Sequence, residues 1–194
     1  MFAEFICRPI SGEYKEKHFG GTTADYSWVK FTNDDGEEWV GSFQRGWLNN
    51  SDTIKILDNR EKVFIVANGA AYLIDMAIQE IVNSEELLDV KTVLVDDEQL
   101  NIYYSNGYDL KFVDMQGNET VIFNYNGFDD IELIDIKGTK LYATYFDYQY
   151  RNKQFNIEVD LITKHVYDSF YFEPSLINKA AQNAYKSKPW WKLW

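Results

Sequence analysis

Residues 63–76 read VFIVANGAAYLIDM and residues 100–115 read LNIYYSNGYDLKFVDM. Both run strand, Asn-Gly, strand, Asp-Met, and their Asn-Gly pairs, Asn68-Gly69 and Asn106-Gly107, lie 38 positions apart. Asn-Gly tolerates positive φ at both central positions of a type I′ turn, so between alternating apolar runs it signals a two-residue hairpin. Two hairpins in the same phase define a repeating unit. Residues 140–160 repeat the outline with a longer polar tip, LYATYF, DYQYRNKQ, FNIEVD, and the closing acids Asp75, Asp114 and Asp160 keep the phase.

Working outward, a strand of alternating character precedes each hairpin: TIKILD (53–58), KTVLVD (91–96) and IELIDI (131–136). Another follows each, at QEIVN, ETVIFN and HVYDSF. Each unit is therefore four antiparallel strands in about 40 residues. Residues 28–43, WVKFTNDDGEEWVGSF, align with 110–123, LKFVDMQGNETVIF, matching Gly36 to Gly117 at the turn, and EFICRPI upstream supplies a further strand. The expected fold class is all-β, built of repeated four-stranded antiparallel units; a meander curled into a sandwich or barrel has the same strand signals. One β-repeat domain is expected over residues 1–172. The tail, 173–194, reads differently: Leu176, Ile177, Ala180, Ala181 and Ala184 recur at helical spacing after Pro174-Ser175, predicting a short helix, and Trp190, Trp191 and Trp194 follow among lysines.

Composition agrees. Of 194 residues, 45% are hydrophobic and 17% aromatic, with 14 Tyr, 13 Phe and 6 Trp, residue types that suit a pleated, half-buried surface. Thirty-one acids against 19 bases give a net charge of −12, which disfavours nucleic-acid phosphate and anionic membranes and favours a basic protein partner. A single cysteine, Cys7, excludes an intramolecular disulfide framework and reads as a small buried hydrophobe. Without a basic segment leading into an apolar run at the N-terminus, a cytoplasmic protein is expected.

Catalytic chemistry is sparse. The only histidines are His18 and His165, no phosphate-loop, nucleophile-elbow or metalloprotease pattern occurs, and no cofactor or metal is expected. Asn33-Asp34-Asp35-Gly36-Glu37 begins like a calcium loop but has Gln44 at the twelfth position, where a bidentate Glu belongs. Trp39, Phe43 and Trp47 read as core aromatics, with Gly41 and Gly46 as close-packing glycines. The acid pairs Asp34-Asp35, Asp96-Asp97 and Asp129-Asp130 at strand ends, with Tyr148 and Tyr150 on the polar tip of the third unit, are the candidate partner-binding residues.

The repeated strand–turn–strand units resemble blades of small or incomplete β-propellers over roughly residues 25–172, without the Trp-Asp or double-glycine marks of the best-known blades. Residues 39–46, WVGSFQRG, and 68–75, NGAAYLID, resemble segments of small bacterial immunity proteins, the cognate partners of toxins. That resemblance implies a non-catalytic module binding a basic toxin domain. A carbohydrate-binding or glycoside-processing domain using rim carboxylates and aromatics is the alternative.

Overall fold

A computed structural model of the protein describes residues 1–22, 25–48, 52–57, 61–82, 89–96, 101–124, 128–147 and 153–169. The 173–194 tail, with its expected helix and three tryptophans, lies outside them. Among the described residues the structure is all-β: sixteen strands in four four-stranded sheets, the repeat of a β-propeller-like chain. The chain divides into two compact units, Met1–Tyr125 and Asn126–Trp194.

The first unit holds three sheets. The N-terminal sheet contains β1 (Phe2–Ile6), β2 (Lys15–Phe19), β3 (Tyr26–Thr32) and β4 (Glu38–Gln44) in the order β1-β3-β4-β2. The middle sheet is the meander β5 (Thr53–Ile56), β6 (Lys62–Ala67), β7 (Ala70–Asp75) and β8 (Glu80–Ile81), and the third is β9 (Thr92–Asp96), β10 (Asn101–Ser105), β11 (Asp109–Val113) and β12 (Glu119–Asn124). Every pairing is antiparallel except one: β2 runs parallel to β4, Lys15 opposite Trp39 and Phe19 opposite Phe43. The lysines, glutamate and histidine of β2 hide it from an apolar-pattern reading. Phe19 ties it to the core, and Lys17 Nζ donates to the Gln79 carbonyl (2.8 Å) and pairs with Glu80 (3.0 Å) at the β7–β8 turn.

Strands β6 and β7 are buried along almost their whole length, which explains why VFIVA and AAYLI are continuous apolar runs rather than alternations. One face, Val63, Ile65, Ala67, Ala70, Tyr72 and Ile74, packs on Phe19, Val29, Phe31, Trp39 and Phe43 of the N-terminal sheet. The opposite face, Phe64, Val66, Ala71 and Leu73, packs on Ile102, Tyr104 and Val113 of the third sheet. Each such large side chain contributes roughly 1.5–3 kcal/mol on burial. Phe31 stacks on Trp39 (4.1 Å) and Phe19 on Phe43 (4.9 Å), while a side chain at Gly41 would lie 2.6 Å from the Phe43 ring.

The two Asn-Gly pairs diverge. Asn68 and Gly69 have φ of 51° and 97°, the two positive values of the expected hairpin turn. At the second, Gly107 alone is in the left-handed region (φ 95°), and three residues separate the end of β10 at Ser105 from the start of β11 at Asp109. Asn106 acts instead through its side chain, whose Oδ1 accepts from the amides of Tyr108 (2.9 Å) and Asp109 (2.7 Å). Trp39 and Phe43 are core as expected, but Trp47 is 90% exposed. It sits on a segment that runs along the β6–β7 turn, where Gly46 N donates to Ala67 O and Leu48 N to Asn68 O, so its backbone is held while its indole points away from the core.

The second unit contains the meander β13 (Phe128–Lys137), β14 (Lys140–Asp147), β15 (Gln154–Asp160) and β16 (Val166–Asp168). Leu141, Ala143, Tyr145 and Asp147 alternate with less buried residues along β14. The Tyr145 hydroxyl lies 2.8 Å from both carboxylate oxygens of buried Asp168, joining the second strand of this sheet to its fourth.

Gly36 has φ 82° with open space where a side chain would go, whereas a side chain at Gly46 would lie 2.6 Å from the Ala70 nitrogen and 2.8 Å from the Asn68 carbonyl oxygen. Gly36→Ala is expected to cost about 1 kcal/mol through backbone strain alone. Gly46→Ala should cost more, up to about 3 kcal/mol, because fixed backbone must move. Denaturant midpoints check this, and equal losses at the two positions contradict the packing described.

Candidate functional site

In a meander the first-to-second and third-to-fourth connections lie at the same end of the sheet. In the first unit that end is acidic. Asp34 and Asp35 stand exposed on the β3–β4 turn. Asp34, Glu37, Glu38 and Glu61 surround a depression of about 600 Å³ that Trp39 and Met76 also line. The Lys62 Nζ hydrogen bond to the Met115 carbonyl shows that the β11–β12 turn lies at this end too. Asp34 also pairs with the N-terminal ammonium.

The other candidates fall differently. Asp96 ends β9 at this same acidic end but is buried, 6% exposed, which withholds its carboxylate from a partner. Near it, burial pushes the Tyr103 hydroxyl above its usual range, with the Asp96 charge adding to the shift and a hydrogen bond from Asn101 opposing it. Asp130 is exposed in the second unit, at a bulge in β13 where its φ is 65°. Asp129 is in the same strand, and its side chain lies outside the described residues, as do Asp97, Tyr148 and Tyr150.

The closing acids of the repeat prove to be turn caps. Asp75 Oδ1 accepts from Ala77 N (2.9 Å), Asp114 Oδ1 from Gln116 N and Asn118 N (both 2.9 Å), and Asp160 Oδ1 from Ile162 N (3.0 Å) and Thr163 N (2.8 Å). Asn33 does the same in the N-terminal sheet, its Oδ1 accepting from Glu37 N (2.7 Å). Slight burial raises the Asp114 pKa, but hydrogen bonds from Asn118, Gln116 and Gly117 outweigh it and hold the carboxyl below its ordinary range. Backbone and side-chain bonds from Thr163 lower Asp160 likewise. These engagements also answer the calcium-loop likeness of residues 33–37: the oxygens of Asn33 and Asp34 already have partners. Among the described residues, no three His, Cys, Asp or Glu are grouped to hold a metal.

The opposite end carries a feature that no motif announced: a cleft of about 950 Å³ walled by the segment after β1, the β2–β3 connection and the start of the β4–β5 connection. A row across the N-terminal sheet, Ile6, Trp28, Ser42 and His18, runs beneath it. Cys7, expected in the core, is exposed here because it follows the last residue of β1. His18 Nδ1 lies 2.5 Å from Ser42 Oγ, and its ring meets Trp28 (6.1 Å) and Tyr26 (6.5 Å) edge-on. Ser42 is fully buried, so its oxygen is closed to a substrate carbonyl and the pair positions the imidazole rather than forming a nucleophilic dyad. His165 packs edge-on against Tyr167 (4.5 Å) in the second unit.

No protein-family model matches the chain, and no curated protein matches it in sequence. Among solved structures, the extracellular domain of a proposed one-component system from B. thetaiotaomicron aligns over 80% of this chain and 25% of its own, with 10% identity and a TM-score of 0.43. The chain thus spans about a quarter of that protein.

A serine-directed fluorophosphonate is expected to leave Ser42 unmodified in the folded protein, as read by peptide mass spectrometry. A stoichiometric adduct on Ser42 contradicts its assignment as a buried support for His18.

Proposed function

We propose that this protein is a non-catalytic binding module that takes a basic protein on the acidic end of its first unit, in the manner of an immunity-type inhibitor holding a toxin domain. The observation that carries the reading is the depression between the N-terminal and middle sheets. Its rim bears Asp34, Glu37, Glu38 and Glu61 against one lysine, Lys15, and its wall includes Met76 and the edge of the largely buried Trp39. A lysine or arginine of a partner entering there meets carboxylates at the rim and apolar surface for its aliphatic stem. The −12 net charge steers such a partner from a distance, and the turn geometry keeps Asp34 and Glu37 on a fixed backbone rather than a loose loop.

The test begins with affinity capture of a partner from the host, followed by rate measurements on the purified pair. Association is expected to slow by about tenfold or more between low and high salt, and to slow again in Asp35→Asn/Glu37→Gln/Glu61→Gln, with dissociation changing far less. Association that is equally fast under all these conditions contradicts the reading.

A further inference from the structure

We propose that the cleft at the opposite end of the first unit binds a neutral carbohydrate. This inference goes beyond the protein-partner reading and stands without it.

The wall contains two guanidinium groups, Arg8 and Arg45, and the carboxylates of Glu16 and Asp25. Despite sharing one cleft, none of these four forms an ion pair among the described residues, whereas elsewhere in the unit Lys17, Lys30 and Lys111 each have a carboxylate within 3.5 Å. The fifth charged group, Asp52, is already engaged by the Asn68 amide (2.7 Å). Arg8 is also pre-positioned: its guanidinium carbon lies 5.9 Å from the centre of the Trp28 ring, a contact that orients the group without occupying its N–H donors.

The pattern of sign selects the ligand. A simple anion meets the −12 field of the protein and two open carboxylates, and a simple cation meets two open guanidiniums. A ligand without net charge suffers neither. It must still answer donors and acceptors set side by side, and a hydroxyl does both, donating to a carboxylate while its oxygen accepts from a guanidinium. Vicinal hydroxyls of a sugar repeat that demand at adjacent carbons. Ile6, Tyr26 and Trp28 supply apolar surface for the C–H face of a pyranose, and about 950 Å³ accommodates a short oligosaccharide.

The test screens the full chain against an array of neutral mono- to tetrasaccharides, with free amino acids, acetate and inorganic phosphate as separate arms. At least one neutral saccharide is expected to bind and to shift the backbone amide resonances of Gly20, Gly21, Tyr26 and Trp28. Arg45→Met and Asp25→Ala, both at exposed positions, should each weaken that binding by about tenfold or more at an unchanged thermal midpoint. If either variant unfolds, Arg45→Lys and Asp25→Asn take its place, with the same loss expected. Asp35→Asn at the acidic end should leave sugar binding intact, so a failed protein-partner reading and a failed sugar reading give different results. Binding confined to the amino acids, acetate or phosphate overturns the proposal. So does the absence of any saccharide binding, or resonance shifts confined to residues outside the cleft.

Discussion

The first unit depends on a sheet with two dry faces. Because β6 and β7 bury residues on both sides, neither neighbouring sheet can be removed without exposing a row of Val, Ile, Phe, Leu or Tyr side chains to water. The demand explains features that look unrelated in the chain. Gly41 is bare because Phe43 and Phe19 stack over it, and Gly46 is bare because the β6–β7 turn passes within contact distance. A largely polar strand, β2, is retained at the margin because Phe19 reaches the shared core while Lys17 reaches the β7–β8 turn.

Both faces of the middle sheet are committed to packing, and the two ends of the unit differ in chemistry. Short turns capped by Asn33, Asp75 and Asp114 make one end. Such turns need acceptors that bond the backbone two to four residues on, so acids are placed there for local reasons before any partner is considered. At Asp114 the turn's own hydrogen bonds hold the carboxyl below its ordinary range. The other end carries the tight β6–β7 and β10–β11 turns together with residues of the β2–β3 and β4–β5 connections, which wall a cleft that holds both signs of charge beside aromatic rings.

The middle and third sheets and the second unit were legible because their signals are local: Asn-Gly, the closing Asp, and strands of uniform spacing. Continuous apolar runs at 63–67 and 70–74 even announce burial on both faces. What the sequence hid is non-local. The parallel pairing of β2 with β4 rests on single contacts of Phe19, Lys17 and His18 among five mostly polar residues, and no period reveals that. The same dipeptide folds two ways, because Asn106 caps its loop with a side chain whereas Asn68 adopts positive φ. Of the proposed site acids, Asp34 and Asp35 are placed on a surface, Asp96 is drawn inside, and Asp130 belongs to the other unit. The cleft escaped notice because its residues come from three stretches that share no motif.

Native-state amide hydrogen exchange tests the account at its centre. If the two-faced middle sheet holds the first unit together, the amides of β6 and β7 exchange only through global unfolding and are the slowest in that unit, with β12 and β8 opening earlier. Exchange in β6 and β7 as fast as in β12 contradicts it.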